Sequence, residues 1–360
     1  MKNNAYTAPL PPGGTATKRR DSNMELLRIV AMLLILVIHA SYRALPFPDA
    51  AAINANPSSS LLQMFSRSAS IMGVDLFVML SGWYGIRPRF SRLAELLFQL
   101  LFFGVLCLLA EYAVAGQMPC SAIEAVKTVL LLDDGSYWFV KCYLGLYLFA
   151  PVLNSFVEHA SRHQFATTLC LIFGFQFVFG WVFEAVTWLN AGYSLPSFMC
   201  LYLLARYMHI HRPAFTQFSR RTDLCICLCI VVAVTAVVFV ARWKFGLGGV
   251  LYFYNSPTTI LSATFLLLFF SKLSLKSRLV NWVAISALAI YLTHSNNFLY
   301  RYYDGSIQKW FYGESRLTFI VYAALLIVAV FVGSILIDKV RLLLWRLITR
   351  GKTTSKPHNS

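Results

Sequence analysis

The chain has 360 residues, of which 58% are hydrophobic and only 13% are charged. Roughly a quarter of the residues in a soluble domain are charged, so this composition excludes an ordinary soluble fold and indicates a polytopic membrane protein. The net charge of +16 also raises the question of nucleic acid, but the basic residues lie between apolar segments rather than in one patch. We therefore predict a membrane environment and no nucleic-acid partner.

Apolar runs of about twenty residues, the length that crosses a bilayer, predict an all-α fold with about ten transmembrane helices. The predicted spans lie at 26–45, 62–86, 93–115, 137–156, 165–189, 193–209, 223–241, 250–271, 281–300 and 317–338. Pro196 and Pro257 interrupt the sixth and eighth spans, and their boundaries are therefore the least defined.

Polar residues rich in Pro, Gly, Ser and Thr stand at both ends of the chain and are typical of disordered tails. We predict a disordered N-terminal tail at 1–22, a single transmembrane domain at 23–345 and a tail at 346–360. Lys and Arg are concentrated in the segments that lie inside when the N-terminus is cytoplasmic, which predicts that both termini face the cytoplasm.

The first span, "MELLRIVAMLLILVIHA", contains Arg28 and His39 within an apolar run. Such residues are costly inside a bilayer and usually face the bundle interior. The eleven residues from Arg28 to His39 bring a helix back to nearly the same face, about 16 Å further along. Glu25 shares this face and is placed to pair with Arg28. Either residue alone is more simply an interface anchor or a hydrogen-bonding group, but the shared face favours a functional site.

The second span carries another charged residue, Asp75, in "IMGVDLFVMLSGWYG". If Arg87 marks the inner interface, helix rise places Asp75 about 18 Å above it, near the expected depth of His39. A carboxylate beside His39 would fix the tautomer of the imidazole and raise its basicity, as a general base needs. The alternative is that Asp75 binds backbone or hydroxyl groups and serves packing alone.

Two arginines follow the second span in "RFSR". Arg89 and Arg92 are three residues apart, so they share a helical face and suit an anionic ligand such as the phosphates of a nucleotide-like donor. The positive-inside rule alone would also produce this pair. Ser81 in "LSGWYG" lacks a Gly-x-Ser-x-Gly elbow, and we interpret it and Gly82 as small residues that permit close helix packing.

Several motifs together resemble one known family. They are "ELLR" with a histidine eleven residues after its arginine, "DLFVMLSGW" (Asp75 to Trp83), "RFSR" (Arg89 to Arg92), "YWFVKCYLGLYLFAPVLN" (Tyr137 to Asn154) and "SALAIYLTH" (Ser286 to His294). This set resembles the integral-membrane acyltransferase family 3, across nearly all of the predicted spans. The first two spans carry the closest similarity.

The resemblance implies a membrane-bound enzyme of the bacterial inner membrane. Members of this family transfer an acyl group, usually acetyl and sometimes succinyl or longer, from cytoplasmic acyl-CoA to a hydroxyl or amine of a cell-envelope glycan, lipid-linked sugar or antibiotic. For this chain we expect transfer of acetyl or succinyl to a hydroxyl of a cell-envelope saccharide or lipid-linked sugar. By position, His39 matches the essential histidine, Arg28 its paired arginine, and Arg89 and Arg92 the basic pair. Glu25 stands where many members have Asp.

These considerations assign roles to the candidate residues. The predicted catalytic residues are His39, Asp75 and Glu25, and acyl-CoA is predicted to bind Arg28, Arg89 and Arg92. Acetyl-CoA is the expected donor, and transfer is expected to be direct. No metal is expected, since the cysteines lack the Cys-x-x-Cys pairs of a zinc site.

Two further residues are candidates for acceptor binding. His294 lies sixteen residues beyond Arg278 and is expected near the outer leaflet, where it is alternatively a hydrogen-bonding anchor. Trp138 belongs to "DDGSYWF" (Asp133 to Phe139), a mixture of acids and aromatics that sugar sites use. An interfacial aromatic belt gives the same pattern.

Two other classes of protein fit parts of the pattern. A transporter or flippase of a lipid-linked saccharide would also need about ten spans and a polar interior, but the sequence shows no internal repeat of the kind found in many transporters. A non-catalytic membrane scaffold would tolerate the replacement of His39 by Gln or Asn.

Overall fold

The computed structural model of the chain describes residues 21–118, 120–132 and 137–350. Regular structure within these residues is helical. The α-helices are α1 (Ser22–Ile38), α2 (Ala50–Ala55), α3 (Pro57–Ser70), α4 (Gly73–Tyr84), α5 (Phe90–Ala115), α6 (Ala122–Val129), α7 (Trp138–His159), α8 (Arg162–Phe175), α9 (Leu195–His211), α10 (Arg220–Phe245), α11 (Pro257–Ser271), α12 (Arg278–Ala284), α13 (Ala287–His294), α14 (Tyr300–Gly313) and α15 (Arg316–Arg350). Short π-helical segments lie at His39–Arg43 and Gln176–Val182, and 3₁₀ turns at Thr187–Gly192, Ala214–Gln217 and Gly249–Tyr252.

Eight helical segments in the described part of the chain are long and apolar enough to cross a membrane. They are Ser22–Arg43, Pro57–Tyr84, Phe90–Ala115, Trp138–His159, Arg162–Val182, Arg220–Phe245, Gly249–Ser271 and Arg316–Thr349. Each coincides with one of the predicted spans, and the prediction of an all-α polytopic membrane protein is confirmed.

The other two predicted spans do not form long helices. The segment at 193–209 becomes α9, whose 17 residues extend only about 26 Å and pack against α4, α7 and α8. The segment at 281–300 is divided into α12 and α13, which are separated by a turn at Ile285 and Ser286. The prediction of one continuous ninth helix is therefore wrong.

The two prolines that were interpreted as interruptions begin helices instead. Pro196 lies in the first turn of α9 and Pro257 is the first residue of α11. A proline is well suited to these positions, because the first amide groups of a helix have no partner within the helix. At the other end of the chain, α15 continues to Arg350 and passes the boundary predicted after residue 345.

The predicted tails fall mostly outside the described residues. Of the tail at 1–22, only Asp21 and Ser22 are described, and Ser22 already belongs to α1. Residues 351–360 of the second tail, and Asp133 to Ser136 of the predicted acidic and aromatic segment, also lie outside the described part.

Helix α1 lies at the centre of the bundle. It contacts α3, α4, α11, α12, α13 and α15, and Leu27 and Leu36 are completely buried. In contrast, α15 leaves apolar side chains such as Leu317 and Leu325 largely exposed, as expected for a helix that faces lipid. Polar residues of α1 such as Ser22 and Glu25 are also buried and therefore face other helices rather than acyl chains.

Glycine allows α4 to pack closely against α9. A Cβ atom on Gly82 would lie 2.4 Å from the carbonyl oxygen of Tyr202 and 2.9 Å from the Cβ of Ala205. Because the nearest atom is a backbone oxygen, it can move away only if helix α9 itself shifts, which costs free energy. The interpretation of Gly82 as a close-packing residue is confirmed.

We expect Gly82→Ala to lower the thermal stability of the purified protein in detergent by several degrees, because overpacking of this kind costs about 1–3 kcal/mol. Gly333→Ala in α15 is the matched control, since no atom lies within 4 Å of its added Cβ and alanine favours a helix. Equal melting temperatures for the two variants would contradict the close contact between α4 and α9.

Candidate active site

The first transmembrane helix changes its geometry at His39. Residues His39–Arg43 form a π-helical turn, in which the amide of Ala44 donates to the carbonyl of His39 at 2.9 Å. Such turns are rare and occur frequently at functional sites. The wider turn places His39 and Arg43 on one side of the chain, at the end of the bundle opposite Ser22.

Helix α3 stabilises this turn. The carbonyl of Ser41 has no partner at the π-helical spacing, because Pro46 has no amide hydrogen. The Nε of Arg67 donates to this carbonyl at 2.7 Å and the Nε2 of Gln63 at 3.3 Å. Arg67 also donates to the carbonyl of Leu45 at 2.8 Å. Two side chains of α3 thus satisfy carbonyls that the end of α1 leaves without partners.

A hydrogen bond joins His39 to His294, at the end of α13. The His39 Nδ1 lies 2.8 Å from the His294 Nε2, and the His294 Nδ1 lies 2.6 Å from the carbonyl of Ile290. A carbonyl only accepts, so the His294 Nδ1 carries a hydrogen, and the Nε2 of a neutral His294 is an acceptor. We therefore assign the hydrogen of His39 to Nδ1, which leaves a lone pair on its Nε2.

Arg43 and Asp304 lie beside this histidine pair. The guanidinium of Arg43 donates from Nε and Nη2 to the two carboxylate oxygens of Asp304, at 2.7 and 2.8 Å. Its Nη2 also donates to the carbonyl of His294 at 3.3 Å, and its Nη1 lies 3.4 Å from the His39 Nδ1. A bidentate ion pair of this type fixes the orientation of the guanidinium. Asp304 therefore holds Arg43 against both histidines.

A cavity of 540 Å³ opens beside His39. It is lined by polar and aromatic side chains, namely His39, Arg43, Tyr137, Trp138, Tyr291, Ser295, Asn297 and Tyr300. Hydroxyl, amide and guanidinium groups among aromatic rings are a lining that suits a polyhydroxylated ligand. The Nε2 of His39 has no hydrogen-bond partner among the described residues, so it is available to a ligand in this cavity.

The two aromatic residues before and at the start of α7 form one wall of the cavity. The hydroxyl of Tyr137 donates to the carbonyl of Leu292 and accepts from the Nδ2 of Asn296, at 2.6 Å from that nitrogen. The ring of Trp138 packs against Tyr193, with ring centroids 4.4 Å apart. Tyr137 therefore connects α7 to the end of α13, close to the histidine pair.

The structure brings together three of the predicted site residues and forms one predicted pair. His39 and Trp138 line the same cavity, and His294 contacts His39. At the opposite end of α1, Arg28 forms the expected ion pair with Glu25, at 2.8 Å. Arg28 is not among the residues that line the His39 cavity. Arg28 and His39 therefore lie at opposite ends of α1.

The predicted contact between Asp75 and His39 is wrong. Asp75 is completely buried, and neither of its carboxylate oxygens has a hydrogen-bond partner among the described residues. The prediction rested on helix rise, which gives the depth of Asp75 in the bundle but not the neighbour toward which its side chain points; Asp75 lies in the first turn of α4. His294 occupies the position beside His39 that was expected for this carboxylate.

Arg89 and Arg92 lie at the start of α5 and are exposed. The backbone of Arg89 is held by Tyr147, whose hydroxyl accepts from its amide at 2.7 Å and donates to its carbonyl at 3.0 Å. Neither guanidinium forms an ion pair within the part of the chain that the structure describes. Both charges are therefore available to an anion, and binding of acyl-CoA by them stays a prediction.

Sequence reasoning missed Arg43, Asp304 and Ser295 as site residues. Arg43 follows His39 by four residues, the spacing of neighbours on a helix, and this spacing was the available signal. Asp304 is the one acid in "YRYYDGS" (Tyr300 to Ser306). Its sequence gives no sign of its partner, because Arg43 is 261 residues away.

The geometry gives less support to a serine nucleophile or to a metal site. The hydroxyl of Ser81 bonds to the hydroxyl of Tyr143 at 3.1 Å and to the carbonyl of Phe77 at 3.2 Å, and no histidine activates it among the described residues. Within the same residues, no group of three or more His, Cys, Asp or Glu side chains is placed to hold a metal ion.

A family model described as an acyltransferase domain matches residues 21–339, which include every described residue of the site. The chain belongs to acyltransferase family 3. The resemblance noted in the sequence is confirmed, and this family 3 protein is a membrane acyltransferase. Comparison with curated proteins and with solved structures found no match.

The hydrogen bond between the histidines leads to a test at His294. We expect His294→Leu to lower kcat for acyl transfer by about tenfold or more, because the His39 Nδ1 loses the acceptor that fixes its tautomer. His294→Gln should retain more activity, since its amide oxygen is able to accept the same hydrogen bond. The measurement is kcat and KM for acyl-CoA as a function of pH, with melting temperatures as a check on folding. Equal kcat values for the two variants would argue against a positioning role.

Proposed function

We propose that this acyltransferase moves an acetyl or succinyl group from cytoplasmic acyl-CoA to a hydroxyl of a cell-envelope saccharide or lipid-linked glycan, with His39 as the general base. The observation that carries the proposal is the lone pair on the His39 Nε2, available beside a cavity with a polar and aromatic lining. The bacterial inner membrane is the proposed location, with both termini in the cytoplasm.

The proposed reaction is a direct transfer. The His39 Nε2 removes the proton of the acceptor hydroxyl as the oxygen attacks the carbonyl carbon of the thioester. The tetrahedral oxyanion then collapses, the C–S bond breaks, and the imidazolium returns the proton to the sulfur of coenzyme A. Arg43 lines the cavity and is the nearest positive charge to His39, so it is the candidate to stabilise the oxyanion.

The hydrogen bond from His39 to His294 supports this role for His39. With its Nδ1 hydrogen held at 2.8 Å from the His294 Nε2, the ring is fixed with its Nε2 as the basic atom. In this respect His294 acts on His39 rather than on the acceptor, whereas Trp138 lines the cavity itself. We therefore propose His294 as a positioning residue and retain Trp138 as an acceptor-binding residue.

We assign the donor to the opposite end of the bundle. Arg28, Arg89 and Arg92 stand near the start of α1 and α5, and the latter two are exposed without ion pairs among the described residues. Guanidinium groups bind phosphate strongly. These three residues are proposed to hold the phosphates of acyl-CoA, while the thioester extends along the bundle toward His39.

Substitution of the proposed base should remove catalysis without unfolding the protein. We expect His39→Ala and His39→Gln to lower acyl transfer from labelled acetyl-CoA in membranes by about 10²–10⁴-fold, the usual contribution of a general base. The matched control is His163→Ala, which changes an exposed histidine and should leave activity unchanged. Substantial activity in His39→Gln, at equal expression and melting temperature, would contradict the proposal.

The basic pair should affect donor binding rather than the chemical step. We expect Arg89→Ala with Arg92→Ala to raise KM for acetyl-CoA several-fold with little change in kcat, because phosphate contacts contribute equally to ground state and transition state. Arg220→Ala, also exposed at the start of a helix, is the control. A fall in kcat at unchanged KM would place the pair outside the donor site.

A further inference from the structure

A second cavity adjoins the His39 cavity. Its volume is 740 Å³, and we call it the Arg67 cavity. Its lining comes from the loop after α1, from α3, from the glycine-rich loop after α10 and from α14, and it includes Tyr42, Phe47, Arg67, Gly249 and Gln308. Arg43 lines both cavities, so the two cavities share this side chain.

Arg67 is a buried cation without a carboxylate partner. Only 1% of its surface is exposed, and it forms no ion pair within the described residues. Its Nε and Nη2 donate to the carbonyls of Ser41 and Leu45, whereas its Nη1 has no acceptor among those residues. A buried charge is costly unless it is paired. The remaining nitrogen and the uncompensated charge therefore both favour an anion in the cavity.

The surroundings of Arg67 increase the positive potential. The guanidinium carbons of Arg67 and Arg242 lie 4.8 and 4.6 Å from the ring centroid of Phe47. Arg242 donates to the carbonyls of Pro48 and Gly246 and likewise has no acidic partner in the described chain. Of the neighbouring arginines, Arg43 alone is neutralised, by Asp304. Phe47 thus contacts two arginines that have no carboxylate partner among the described residues.

The glycine-rich loop leaves room for a ligand opposite Arg67. A Cβ atom added to Gly249 would meet only the ring of Phe47, at 3.9 Å, so the space in front of this residue is open. The rings of Tyr42 and Phe47 and the carboxamide of Gln308 complete the wall. Aromatic faces beside a guanidinium suit a sugar ring that carries an acidic group.

We propose that the Arg67 cavity binds a phosphate or carboxylate group of an anionic acceptor saccharide, and that Arg43 connects this site to the reacting hydroxyl at His39. The assignment to an acceptor rests on the proposed function, whereas the binding of the anion does not. A phosphate of a lipid headgroup has the same chemistry, and the experiment below separates the two sources.

The test uses the full chain in nanodiscs of phosphatidylcholine, without acyl-CoA, and measures the melting temperature as a function of glucuronate concentration. Glucose is the neutral counterpart. We expect glucuronate, but not glucose, to raise the melting temperature in a saturable manner. Arg67→Gln should weaken this binding at least about tenfold, because a charged hydrogen bond is lost. Arg220→Gln, which alters an exposed cation at the start of α10 rather than near the cavity, should retain it.

A second pair of variants avoids the structural contacts of Arg67. Gly249→Asp places a carboxylate in the open space of the cavity, and Gly249→Asn places a neutral side chain of the same size there. We expect Gly249→Asp to abolish the glucuronate effect and Gly249→Asn to reduce it much less. Equal binding by these two variants, or no effect of glucuronate on the unaltered protein, would overturn the proposal.

Nanodiscs that contain phosphatidylglycerol distinguish the two sources of the anionic group. Stabilisation by this lipid that is lost in Gly249→Asp, without any effect of glucuronate, would assign the site to a headgroup and overturn the acceptor assignment. Because these measurements involve no acyl transfer, loss of the proposed activity would leave a positive binding result intact. Conversely, an active enzyme that binds no anion would refute only the proposed anion site in the Arg67 cavity.

Discussion

The hydrogen bond between His39 and His294 is the interaction on which the site depends. It joins residues that are 255 positions apart and connects the end of α1 to the end of α13. The carbonyl of Ile290 determines its direction, because a carbonyl is only an acceptor and therefore fixes the hydrogens on both rings in turn. The consequence is that one nitrogen, the His39 Nε2, is left as a base beside the cavity.

Two interruptions of regular helix make this contact feasible. The π-helical turn that begins at His39 brings Arg43 to the same side, and the division of the ninth predicted span allows α13 to end at His294. Backbone that departs from a helix within a membrane is tolerated where it is buried in protein or lines a cavity. Residues after His294 meet this condition, since Ser295 and Asn297 line the cavity.

Charged groups at this end of the bundle are compensated to different degrees. Arg43 is neutralised by Asp304 and serves the His39 cavity. Arg67 is held by carbonyl groups and aromatic rings, with no carboxylate partner among the described residues, and lies in the adjoining cavity. Because an apolar environment makes an unpaired charge expensive, the first arrangement is suited to hold a side chain in place and the second to attract an anion.

Hydrophobic length and helical spacing were sufficient to predict the membrane class, eight of the helices and the ion pair of Glu25 with Arg28, because both are local properties of the chain. The partners of His39 and Arg43 could be identified only from the packing of the helices. His294, 255 positions after His39, bonds to it in place of the expected Asp75, and Asp304, 261 positions after Arg43, forms the ion pair with that arginine. Such pairings arise from helix packing, which no local pattern along the chain encodes.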